Sequence, residues 1–122
     1  MLLADDDDNI RRVTCAILSS KGCHVEEASD GIQALSRFEA NPKGFDLIVT
    51  DLSMPNMTGT ELAIEIRKLD SSIPIILSTG HLETGEQDEY RESGISDRIK
   101  KPWTIDQCKD QRIQNLILLH LD

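Results

Sequence analysis

Short apolar runs alternate along the chain with stretches in which apolar residues recur at helical spacing, and this alternation sets the elements. MLLA (1–4) is a brief apolar strand. From residue 9 to about residue 20, Ile10, Val13, Ile17 and Leu18 predict an amphipathic helix closed by Gly22. HVEEAS (24–29) is a second, weaker strand, after which Asp30-Gly31 opens a helix with Ile32, Leu35 and Phe38 on one face. Asn41-Pro42 stops it. FDLIVT (45–50) is a continuous apolar run of strand length, as a strand covered on both faces requires. Leu62, Ile66 and Leu69 mark a helix over 59–69, and IPIILST (73–79) is the clearest strand. Segment 83–93 is polar apart from Tyr90 and is the weakest helix. RIK (98–100) is a short strand, and Ile105, Cys108, Ile113, Leu116 and Ile117 predict a last helix over 104–120.

The order is βα five times over, which implies a doubly wound α/β sandwich. A central five-stranded parallel sheet carries helices on both faces, joined by right-handed crossovers. Functional groups in such open sheets gather beyond the carboxyl ends of the strands. The first strand ends at Asp5 and Asp6, the third at Asp51, the fourth at Ser78-Thr79 and the fifth at Lys101. The second delivers nothing comparable, which suits an outer position.

Composition narrows the classes. Residues 1–122 are expected to form one domain, since the chain is long enough for a single core and shows no repeat or linker. The net charge of −9 opposes direct binding to nucleic acid or to an anionic membrane. No apolar run reaches the roughly 20 residues of a membrane span, and MLLADDDD lacks the basic flank of a signal peptide. Cys15, Cys23 and Cys108 form neither a CxxC pair nor an even set, so three reduced thiols in a cytoplasmic protein are expected. His24, His81 and His120 show no metal-ligand spacing.

Three carboxylates meeting at one edge repel, so either one of them stays protonated or a divalent cation sits among them. An all-oxygen site with few protein ligands suits Mg²⁺, or Mn²⁺, with open positions for water or phosphate oxygens. A carboxylate can also act as nucleophile towards phosphorus, and Asp51, on the central strand, is the candidate. A lysine would neutralise phosphoryl oxygens and a hydroxyl would hydrogen-bond one of them.

LIVTDLSMPNMTG (47–59), the early acidic run, STG (78–80) and KKPW (100–103) together resemble the receiver domains of two-component response regulators. The resemblance covers the whole chain. It implies a flavodoxin-like fold with strand order 2-1-3-4-5, and a phosphorylation-dependent signalling switch rather than a metabolic enzyme. It further implies that Asp51 is the phosphoacceptor and that Asp5, Asp6, Asp51 and the Ser53 backbone carbonyl hold the metal. Thr79 would be the switch hydroxyl and Lys101 its partner at the phosphoryl group. The donor would be a histidine kinase or phosphotransfer protein, and the receiver of the signal an output domain or effector protein. Ser53 and His81 stand where the family tunes dephosphorylation. Arg98 stands where the family usually has a switch aromatic, a departure from the pattern.

Two other classes compete. An aspartyl-phosphate phosphatase or phosphotransferase commonly places a second carboxylate two residues after the nucleophile, where this chain has Ser53. A degenerate receiver used only for protein binding would not need Asp6, Asp51, Thr79 and Lys101 together. A nucleotide-binding domain lacks support, since no Gly-rich phosphate loop follows the first strand. LILLHL (116–121) is apolar nearly all round: either one stripe packs on the sheet and the rest frays, or the face left over makes a homodimer or output-domain contact. Within the acidic run, Asp5 and Asp6 are assigned to chemistry, and Asp7, Asp8 and Asn9 to capping the first helix.

Overall fold

The computed structural model describes residues 1–20, 22, 24–79 and 92–100. Strands β1 (Leu2–Ala4), β2 (Glu26–Ala28), β3 (Ile48–Asp51), β4 (Ile75–Thr79) and β5 (Asp97–Lys100) form one sheet in the order β2-β1-β3-β4-β5. All four pairings are parallel, with Leu2 opposite both Glu26 and Ile48, and Asp51 opposite Ser78. Helices α1 (Asp8–Ser20), α2 (Gly31–Ala40) and α3 (Gly59–Leu69) connect the first four strands, with a short 3-10 turn at Pro42–Gly44. The expected strand order is therefore the observed one. The expected helices over 83–93 and 104–120 lie outside the described residues, apart from the last two positions of the first.

The order fixes which helix covers which face. The step from β1 to β2 runs one way across the sheet, and the steps from β2 to β3 and β3 to β4 run the other way. Right-handed crossovers then put α1 on one face and α2 with α3 on the opposite face. Side-chain burial follows this division. Leu2, Ala4, Ile48, Ile75 and Leu77 join Ala34 and Phe38 of α2 and Leu62, Ala63 and Ile66 of α3 in one core. Leu3, Val49 and Ile76, at the alternate strand positions, are also buried but belong to the other side. Central β3 buries Ile48, Val49 and Thr50 in succession, whereas outer β2 exposes Glu26.

The helical stripes are rotated from those the large apolar residues predict. Ile10 and Val13 are 44% and 59% exposed, and the buried residues of α1 are Arg11 and Leu18. On α2 the inward positions are Gly31, Ala34 and Phe38, while Ile32 faces outward. Close approach explains the choice of small residues there. A Cβ on Gly31 would lie 2.6 Å from the Met57 carbonyl oxygen and 2.7 Å from the Met57 Cβ. Leu69, at the end of α3, is likewise exposed.

Candidate functional site

The sheet reverses its winding direction between β1 and β3, so the crevice beyond their carboxyl ends is left open by the diverging connections. Asp5 follows the last residue of β1 and Asp51 ends β3. Each of Asp5, Asp6 and Asp51 offers a carboxylate oxygen, and these atoms lie within 4.8 Å of one another. Asp5 is buried, Asp51 half-buried and Asp6 exposed, so the group opens to solvent on one side.

Asp5 is held at three points. Its N–H donates to the Ala28 carbonyl at 3.1 Å, continuing the β1–β2 pairing. Its carboxylate Oδ1 accepts the Asp7 N–H at 3.0 Å. Its carbonyl accepts from Arg11 Nη1 at 2.8 Å, a buried contact. Arg11 also meets Asp8 at 2.7 Å and Glu27 at 3.2 Å. Burial disfavours its charge, but those two carboxylates outweigh burial and hold the guanidinium above its ordinary pKa.

Asp51 is set by the loop that follows it. Its Oδ1 accepts the Leu52 N–H at 2.8 Å, and Thr50 Oγ1 donates to its carbonyl at 3.0 Å. Gly59 starts α3 so close that a Cβ there would collide with the Asp51 carbonyl oxygen. Its N–H closes the loop on the Leu52 carbonyl at 2.9 Å. Thr58 and Glu61 form a reciprocal capping box at the start of α3. Midway, Asn56 takes φ 70°, the left-handed region that asparagine tolerates well, and its amide donates to Asp30 Oδ2 at 3.2 Å. Asp30 meanwhile caps α2 by accepting the Gln33 N–H.

Of the other expected site residues, Ser53 lies exposed in this loop, next but one to Asp51. Thr79 is the last residue of β4, one position past Ser78, which pairs with Asp51. Arg98 lies in β5 opposite Leu77 and is half-buried. Lys101, His81 and Trp103 lie outside the described residues; Lys101 follows directly on the end of β5. His24 is exposed, in the link before β2, away from any cluster of ligand residues found among the described ones. Sequence reasoning missed Arg11, Gly59 and the Asp30–Asn56 bond. Arg11 had one usable signal: with Thr14, Cys15 and Leu18 it forms an i, i+3/i+4, i+7 row in which a charge stands at the inward end.

Two carboxylates 4.8 Å apart repel by about 3.5 kcal/mol at an effective dielectric of about 20. The donor set fits a hard divalent cation: all ligands are oxygen, they span a distance one ion can bridge, and one side stays open. A thiol- or imidazole-preferring metal would find no suitable ligand in this cluster.

Comparison with known proteins agrees with the geometry. The family model described as "Response regulator receiver domain" matches residues 1–112. The transcription factor prr1 of Schizosaccharomyces pombe is 38% identical over 104 residues, 85% of this chain and 19% of that protein. The sensor protein EvgS of Escherichia coli is 34% identical over 121 residues, 99% of this chain and 10% of that protein. The chain thus spans less than a fifth of the length of either relative. Among solved structures, a response regulator receiver domain protein from Clostridium thermocellum superposes with a TM-score of 0.82 at 26% identity, covering 95% of this chain and 88% of that one. The chemotaxis protein CheY4 of Vibrio cholerae gives 0.79 at 30% identity, covering 84% and 86%.

Proposed function

The chain belongs to the response regulator receiver domain family, a family of signalling modules, and on that premise we propose that it is a switch thrown by phosphorylation of Asp51. The convergence of Asp5, Asp6 and Asp51 at the winding reversal is the observation that carries this reading. Asp5, Asp6 and Asp51, with the Ser53 backbone carbonyl, would hold Mg²⁺ or Mn²⁺. Bound there, the cation would neutralise charge on the phosphoryl oxygens and help align them.

The nucleophile is a carboxylate oxygen of Asp51. It attacks the phosphorus of a phosphohistidine on a histidine kinase or phosphotransfer protein. The P–O bond forms as the N–P bond breaks, and the ring, protonated on its other nitrogen, leaves as neutral imidazole. Asp51 can be approached because it is half-buried rather than enclosed. The Leu52 N–H on its Oδ1 orients the carboxylate. Thr79 and Lys101, at the ends of the fourth and fifth strands, would meet the phosphoryl oxygens by hydrogen bond and by charge. The added charge of roughly −1.5 to −2 then shifts an existing conformational equilibrium.

The partners on this reading are the phosphodonor and an output domain or effector, with a homodimer as one mode of output. The relatives bear this range, one a transcription factor and another a sensor protein. A net charge of −9 supports a domain that does not itself grip nucleic acid or an anionic membrane, and a cytoplasmic site of action accords with it. No helix among the described residues is long and apolar enough to cross a membrane.

Incubation with Mg²⁺ and acetyl phosphate tests the reading. Wild type is expected to gain the mass of one phosphoryl group and to change Trp103 fluorescence, and Asp51→Asn to do neither. Equal behaviour of the two proteins would end it.

A further inference from the structure

Two ionisable side chains are buried among the described residues, Asp5 and Arg11, at 4% and 8% exposure, and they belong to residues in direct contact. The contact is not an ion pair. Arg11 spends its charge on Asp8 and Glu27, both far more exposed, and points Nη1 at the carbonyl oxygen of Asp5. That carbonyl belongs to the peptide unit joining Asp5 to Asp6, and the orientation of this plane decides where both carboxylates can point. The Asp5 N–H is fixed by β2 and the Asp5 carboxylate by the Asp7 N–H. The Asp5–Asp6 peptide is fixed by Arg11. Exposed Asp6 takes its direction from that plane.

We infer that Arg11 is a positioning residue for the cation pocket, setting the Asp5–Asp6 peptide so that both carboxylates face Asp51. The inference rests on the reading of this pocket as a divalent-cation site. Its chemistry follows from the charge count. A guanidinium lent to the pocket would compete with a cation, whereas one matched by Asp8 and Glu27 can donate a strong hydrogen bond without opposing the ion. The site therefore gains order from Arg11 while keeping its negative field. Glu27 and Asp8 act one step further out, balancing the charge of the buried guanidinium.

The test titrates the full chain with Mg²⁺ by calorimetry and measures thermal unfolding without the ion. Arg11→Met is expected to weaken Mg²⁺ about tenfold, the usual cost of losing a group that orients a ligand. Arg11→Lys keeps the charge but not the fork, and is expected to weaken it severalfold and to shift the Asp6 amide resonance, which senses the carbonyl before it. Glu27→Gln should lower the melting temperature, yet hold Mg²⁺ affinity within about twofold, because the bond to Asp5 survives. The inference is overturned if folded Arg11→Met or Arg11→Lys binds Mg²⁺ as wild type does. It is equally overturned if Glu27→Gln loses as much affinity as Arg11→Met at a matched loss of melting temperature. Should Arg11→Met fail to fold, Arg11→Lys decides alone. Asp6→Asn separates the two layers: if it binds Mg²⁺ as wild type does, or if wild type takes up none, the pocket reading itself fails and this inference goes with it.

Discussion

Asp7 and Asp8 stand side by side in the acidic run, yet their side chains meet different partners. Asp7 Oδ1 accepts the Ile10 N–H at 3.0 Å, which makes Asp7 the cap of α1, while Asp8 turns to Arg11. The sequence placed capping on Asp7, Asp8 and Asn9 alike, because each side chain could reach a free N–H of the first turn. Asp7→Ala is expected to cost about 1 kcal/mol in urea unfolding. Its effect on Mg²⁺ binding should be small, since the Asp7 N–H that holds Asp5 remains. Asp70 gives a second residue-scale expectation. Its carboxylate is held below its ordinary pKa chiefly by the Ser72 N–H and the Ser72 hydroxyl, against the opposing effect of burial, with smaller help from the Ile73 N–H and the Arg67 charge. A depressed carboxylate contributes stability fully above its unfolded pKa, and loses it as pH falls through the folded value. The stability gap between wild type and Asp70→Ala should therefore narrow as unfolding is measured at progressively lower pH in the acid range. A constant gap would mean that the shift does not couple to folding.

Elements were legible from the chain in proportion to how purely apolar they are. β3 and β4 announced themselves as unbroken apolar runs, and α3 was found with both ends because Gly59 and Leu69 bound its periodic stretch. The faces of α1 and α2 were misjudged because periodicity counts large apolar side chains. It passes over Gly31 and Ala34, whose value is their small size, and over Arg11, whose burial depends on Glu27 of the second strand and on the Asp5 carbonyl. The same limit hid Gly59, whose role appears only when α3 is seen pressed against the end of β3. Gly59→Ala puts a carbon into a backbone oxygen that cannot move aside alone. It is expected to destabilise by about 1–3 kcal/mol in denaturant unfolding and, by displacing Asp51, to slow phosphorylation by acetyl phosphate. Loss of stability with an unchanged rate would show that Asp51 is positioned by β3 alone. At the opposite end of α3, Arg67 reaches the Gly94 carbonyl at 2.9 Å and the Ser96 hydroxyl at 3.3 Å, fastening the helix to the approach to β5.

For the whole molecule, the parallel sheet could be read from the alternation of elements, but the strand order came only with the resemblance of the motifs. Local pattern carries no information about which strand lies beside which. It did identify the carboxylates correctly as neighbours, because every strand of a parallel sheet ends on the same edge. If those neighbours hold a cation, binding must stabilise the folded chain. Saturating Mg²⁺ at about 100 times its dissociation constant should add about 2.7 kcal/mol, visible as a raised melting temperature that a chelator reverses. Asp6→Ala should abolish most of that rise, and an equal rise in both proteins would point to nonspecific ion effects.

The pairing of Leu2 with Ile48 has a further consequence, in time rather than in space. These two residues begin the strands that deliver Asp5, Asp6 and Asp51, and closing the intervening chain of more than forty residues costs about 3 kcal/mol of entropy before any contact returns it. No fragment that stops short of β3 can assemble the acidic cluster, and no collapsed intermediate without β1 beside β3 can either. The pocket comes into being only with the long-range pairing. On the proposed reading of Asp51, a chain emerging from the ribosome would be unable to accept a phosphoryl group until its sheet has joined, so that competence to signal would certify that folding has reached the centre of the sheet.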